Sequence, residues 1–245
     1  MTKRLLDRQT SLLEYLTSGA AIFGDIGTRP LDQNLRGIDS RLLNLEARFS
    51  HEKRMQKIVG VFPRTLELLG TEQEPTIRAF VAACPPREIG HLANARQFHD
   101  FLSAHWRQEP PRPPHLRDVA ACELACAEVR ANFENHSEAA RDRNDALGRR
   151  IRRHPGIALL TCAYDIRPIF EAGESGTEPA ERKTPVVVAI PPGFAQPQIF
   201  EVPPAILDLV AALDDWIDPA ELGAAPGLQG LIRELSEHGL LEMRG

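Results

Sequence analysis

The stretch TPVVVAIPPGFAQPQIFEVPPAILDLV, residues 184–210, changes periodicity twice and decides how the C-terminal half folds. TPVVVAI is a β-branched apolar run of strand length, PPGFAQPQ is turn-forming, and QIFEV is a second short run, so a hairpin with a long connection is predicted. From Pro204 the apolar residues of PAILDLVAALDD return at helical spacing. Two further helical pieces follow: DPAELGA, with Asp218 as N-cap, and GLQGLIRELSEHG, stopped by Gly239. GLLEMR could return as a terminal strand. Upstream, GIALLTCAYDI reads as another strand, and the polar EAGESGTEPAERK as a flexible loop near 171–184. A hairpin leading into three helices outlines a small winged-helix-like domain over residues 151–245.

Residues 1–150 read as an all-α domain of short helices, which makes the fold class α+β, mainly α. A first helix spans roughly 3–18. Leu31, Leu35, Ile38, Leu42, Leu45 and Phe49 recur at steps of four and three, a stripe expected to be the buried side of an amphipathic helix. FPRTLELLG is punctuated by Pro63 at a first helical position and Gly70 as its stop. EPTIRAFVAAC closes at Pro85 and Pro86. EIGHLANARQFHDFLSAHW carries Leu92, Phe98, Phe101, Leu102 and Trp106 as apolar anchors, and EPPRPP connects it to a helix running from about 115 to 133.

The 245 residues carry a net charge of −5, and no run of apolar residues is long enough for a membrane span or a signal h-region. The expectation is a soluble, cytoplasmic protein with reduced thiols at Cys84, Cys122, Cys126 and Cys162. From residue 201 onward nine acidic side chains face only Arg233 and Arg244. That tail is ill suited to phosphates. The basic excess gathers in RDRNDALGRRIRRH, residues 141–154, which reads as a solvated helix face or as a dock for an acidic partner.

HLRDVAACELACAEVR, from His115, suggests a metal site. His115, Cys122 and Cys126 share a helix face, but the histidine lies about 10 Å along the axis from Cys122. Val119, Val129 and Phe133 occupy the same face, so core packing is the better reading and no metal ligand is assigned. The remaining histidines form no HExxH and no i, i+4 pair. GxSxG, P-loop and GxGxxG motifs are absent, and no catalytic residue is assigned.

Two binding modes remain for the C-terminal module. A winged helix could place GLQGLIRELSEHG in a DNA groove as a transcriptional regulator would, but this segment offers Arg233 against Glu234 and Glu237. Alternatively, a strand edge formed by Val186, Val187, Val188 and Ile190, beside Leu228, Leu231, Ile232 and Leu235, could accept an extended peptide. The same eight residues could equally pack on each other as core.

FPRTLELLG, AFVAACPPREIGHLANARQFHDFL, HLRDVAACELA and RHPGIALLTCAYDI occur in an order and spacing that resemble the bacterial helical family labelled "putative DNA-binding domain". Its members are partner subunits of multinuclear non-haem iron oxidative enzymes, including the methanobactin-type partner proteins. The likeness covers roughly residues 50–215. It implies a heterodimer with a separate TIM-barrel enzyme that holds the iron, and no cofactor in this chain. The C-terminal module resembles PqqD-like peptide-recognition domains, implying that a ribosomally made precursor or carrier peptide is bound and its cysteine presented for oxidation. By length and this module the chain resembles partners in the 3-thiaglutamate pathway, where the β-carbon of a peptide's terminal cysteine is excised. Arg149, Arg152, Arg153 and His154 are the residues the resemblance implies for contact with the enzyme. Nucleic acid and membrane are not among the expected partners.

Overall fold

A computed structural model describes residues 2–23, 32–86, 88, 90–137, 150–171, 178–223 and 227–244, and the chain is mainly helical with small antiparallel sheets near its C-terminal side. It divides into two compact units, Met1–Arg112 and Pro113–Gly245. Among the described residues no helix is long and apolar enough to cross a membrane.

Among the described residues of the first unit the regular elements are helical: α1 (Thr2–Leu16), α2 (Gly19–Phe23), α3 (Ser40–Val59), α4 (Pro63–Leu69), α5 (Gln73–Ala83) and α6 (His91–Gln108). Local chemistry sets several ends. Asp39 Oδ1 accepts the Arg41 N–H at 2.8 Å and starts α3. Pro63 opens α4, and Gly70, with φ of +53°, closes it. The core is aromatic: Phe98 meets Phe80 and Phe62 edge-on, with centroids 5.0 and 5.5 Å away, and all three rings are fully buried beside Ile58 and Leu102.

The predicted stripe of α3 is turned the other way. Leu31 lies outside the described residues and Leu35 belongs to a separate 3-10 turn, Gln33–Leu35. Leu42, Leu45 and Phe49 are exposed, whereas Leu43, Ala47, Arg54 and Ile58 are buried. Both faces of α3 carry apolar residues, so periodicity does not choose between them; packing against α1, α2 and α6 does.

The second unit begins with α7 (Leu116–Ser137), followed by β1 (Arg150–Arg153), β2 (Ala158–Tyr164), α8 (Arg167–Glu171), β3 (Glu181–Ala189) and β4 (Gln198–Glu201). It ends with α9 (Pro204–Ala212), a 3-10 helix at Pro219–Leu222, α10 (Leu228–Glu237) and β5 (Leu241–Arg244). The unit boundary therefore falls at residue 112 and not at 150, because α7 packs on β2 and β3. Its stripe of Val119, Cys122 and Val129 needs an apolar partner, and the sheet supplies one.

The predicted hairpin is present as β3 and β4, with Val187 opposite Phe200, and β2 joins on the far side of β3 to give the order β2-β3-β4. Successive side chains of β3 point to opposite faces. Val187 and Ala189 join Val210 of α9, Leu213 at its C-terminal cap, and Ile232 and Leu235 of α10 in one core, while Val186 and Val188 face the α7 side. Burial on both faces explains the unbroken VVVA run.

Of the loop predicted near 171–184, residues 172–177 lie outside the described residues, and Glu181–Thr184 are already part of β3. Asp218 caps the 3-10 helix through Ala220 N at 2.9 Å. Gly239, at φ +74°, lets Leu240 N reach back to Leu235 O at 2.8 Å and ends α10 as the sequence predicts.

Candidate functional site

Val202 N donates to Pro185 O at 3.1 Å, and this bond sets the phase of the β3–β4 ladder. Main-chain groups alternate sides along a strand, so those of Phe200 and Gln198 pair with Val187 and Ala189, while those of Ile199 and Glu201 point away from β3. Among the described residues no strand pairs with that outer side. β4 is thus an open edge offering two N–H donors and two carbonyl acceptors.

Two features shape this edge. Phe200 lies on the face shared with Val187, the face covered by α9 and α10, and is 40% exposed. On α10, Leu228 and Leu231 pack against that core but stay half-buried. Glu201 is held at its side chain: Arg167 Nη2 reaches Glu201 Oε2 at 2.5 Å, and Arg182 forms a fork on both carboxylate oxygens. The same arginines bind Asp165, with Arg167 in a two-pronged pair at 2.8 Å and Arg182 at 2.5 Å. Arg167 above all holds the Asp165 carboxyl down to about 2. The lattice of four charges ties the end of β4 to β3 and to the start of α8.

The residues predicted to bind peptide divide between core and rim. Val186, Val187 and Val188 are fully buried, and β3 has β2 on one edge and β4 on the other, so the strand addition predicted there has no free edge. Ile190 is 8% exposed just past the end of β3, and Ile232 and Leu235 are core. The core packing that the sequence left open is what these residues do; Leu228 and Leu231 alone keep accessible surface. Ile199, Phe200 and Glu201 were missed. Their signal was QIFE bracketed by Pro197 and Pro203, since proline is tolerated at sheet edges.

The basic run is corrected in the same way. Arg149 lies outside the described residues. Arg150–Arg153 form strand β1 rather than a helix, anchored by fully buried Ile151, which exchanges main-chain bonds with Ile217 at 2.8 and 2.9 Å. Arg152 Nε donates to Glu242 at 2.7 Å and its guanidinium lies 4.6 Å from the centre of the Trp216 ring. Arg153 pairs with Asp214, and His154 Nδ1 accepts from Gly156 N at 2.9 Å. Glu242 and Asp214 thus give Arg152 and Arg153 acidic neighbours within the second unit.

On α7, Cys122 is buried and hydrogen-bonded to Cys126, which together with burial raises its pKa, and burial pushes the Cys162 thiol up to about 12. Such thiols are poor nucleophiles. Among the described residues no group of three His, Cys, Asp or Glu side chains could hold a metal ion. Asp118 Oδ2 instead accepts the N–H groups of Ala163 and Tyr164 at 2.8 and 2.9 Å, stapling α7 to the irregular end of β2.

The chain matches no family model and no curated protein.

Proposed function

We propose that this chain is a non-catalytic peptide-binding subunit that accepts an extended segment as a fourth strand along β4. The observation that carries the reading is the outward-facing main chain of Ile199 and Glu201 on an unpaired edge. Each main-chain bond contributes about 0.5–1.5 kcal/mol net, so selectivity must come from side chains entering the apolar surface beside Phe200, Leu228 and Leu231. α10 favours this over DNA binding, because Arg233 is its only cation and lies 4.0 Å from Glu237. The wider role rests on the sequence resemblance: the peptide is a ribosomally made precursor or carrier, and the chain presents its cysteine to a separate multinuclear iron enzyme with which it forms a heterodimer.

Ile199→Pro tests the binding mode. The substitution removes an outward N–H and leaves the β3–β4 ladder intact, so the melting temperature should hold while affinity for candidate precursor peptides falls at least about tenfold. Unchanged affinity, measured by fluorescence anisotropy, would remove strand addition at β4. Co-purification with candidate TIM-barrel iron enzymes tests the second half separately, and a failure to associate would leave only the peptide-binding part.

A further inference from the structure

Arg54, on α3 of the first unit, is only 8% exposed, yet among the described residues its hydrogen-bond partners are neutral. Its Nε donates to Asn94 Oδ1 at 3.0 Å, its Nη2 donates to Gln97 Oε1 at 2.8 Å, and its guanidinium lies 4.4 Å from the centre of the Phe80 ring. Among the described residues no carboxylate pairs with it and Nη1 makes no hydrogen bond. A buried cation without an anion loses hydration that nothing repays. The guanidinium is nevertheless held firmly. Asn94 Nδ2 donates to the carbonyls of Glu88 and Gly90 at 3.1 and 2.7 Å, and Gln97 Nε2 donates to that of Pro85 at 2.9 Å. Both amides therefore turn their oxygens to Arg54, fixed by the segment between α5 and α6.

A second polar group nearby is unsatisfied. His51 Nδ1 is buried and has no hydrogen-bond partner among the described residues. Burial, and then the charge of Arg54, lower the histidine's pKa, so the ring is neutral at pH 7 and can carry its proton on either nitrogen. His51 and Arg54 line the same cavity of about 250 Å³, together with Lys53, Lys57, Leu16 and Ile22. Glu88 is the one acidic residue among the described lining, so the walls are net positive.

We propose that this cavity binds a small oxyanion, a carboxylate or phosphate group on a short apolar stem. The anion would face Arg54 Nη1 beside the neutral His51 ring, within the field of Lys53 and Lys57, with the stem against Leu16 and Ile22. It supplies the charge that Arg54 lacks. The volume lies below the roughly 300–1,000 Å³ typical of pockets for drug-sized ligands, which restricts the ligand to the size of a small metabolite.

The test uses the full chain at constant ionic strength, with inorganic phosphate, isobutyrate and succinate as probes and NMR of the histidine rings as readout. A saturable shift of the His51 ring, with exposed His238 unmoved, supports the site, and the probe that saturates assigns it to phosphate or carboxylate. Lys53→Gln, on an exposed position, should keep the fold and weaken the saturating probe about fivefold. No saturation of His51 with any of the three probes overturns the proposal, as does a Lys53→Gln affinity equal to that of the unaltered chain. Arg54→Lys keeps the charge but loses the fork, and should weaken binding further in a chain that still melts cooperatively; equal affinity in that variant also overturns it.

Discussion

Arg152 and Glu242 lie directly opposite each other in the β1–β5 pair, and Arg152 Nε donates to Glu242 Oε2 at 2.7 Å. The two residues are 90 positions apart, and their side chains are 27% and 21% exposed. Glu242→Lys places like charges across the pair and should lower the stability of the second unit by about 1–2 kcal/mol. Arg152→Met should cost less, because the side chain can still cover Trp216. Urea unfolding of the two variants and their double mutant measures the coupling, and a coupling near zero would mean that the pair does not hold β1 in place.

Val188 distinguishes a core strand from a binding strand. It is fully buried at the centre of the sheet, so Val188→Asp should cost about 4 kcal/mol or more and unfold the second unit. Phe200→Ser removes a side chain that is 40% exposed and should cost about 1 kcal/mol, while peptide affinity falls about tenfold. Circular dichroism melting curves alongside binding isotherms separate the two effects.

Acid stability should depend on Asp165. Its folded-state pKa lies below the ordinary carboxylate value, so the stability it contributes is complete above about pH 4 and is lost as pH falls towards about 2. Asp165→Asn should remove that dependence and cost about 1–2 kcal/mol at neutral pH, since two arginines lose a charged acceptor. Denaturation curves across pH 2–6 check both points, and equal slopes for the two proteins would contradict them.

The two faces of α3 should respond oppositely. Leu45 is 47% exposed, so Leu45→Lys should change stability by less than about 0.5 kcal/mol. Leu43 is 5% exposed, and Leu43→Ala should cost about 2–4 kcal/mol. Chemical denaturation of each variant is sufficient to tell them apart.

Gly156 offers a tighter test of geometry. A Cβ there would lie 2.9 Å from His154 Cε1, and the Gly156 N–H is bonded to the same ring. Gly156→Ala should displace His154 and lower the melting temperature, whereas Gly230→Ala, on the open side of α10 with nothing within 4 Å, should raise it slightly.

Much of the secondary structure was legible because its signals are local. Pro63 and Gly70 bound α4, Asp218 caps its 3-10 turn and Gly239 stops α10, each through contacts within a few residues. The β3–β4 hairpin followed from a β-branched run and a proline-rich connection. The candidate edge was legible only in part: the strands were found, but the free one was misassigned.

By itself, then, the sequence determined the α+β, mainly α class, most helix ends, and the pairing of neighbouring strands, because nearby backbone and side-chain chemistry suffices for those. Tertiary structure alone decided that β2 would take the far edge of VVVAI and leave β4 open, that RIRR would become a strand against β5, and that Leu42, Leu45 and Phe49 would face outward. Each of these depends on which distant segment covers an apolar face or a row of unpaired main-chain groups, and spacing along one segment carries no information about its partner.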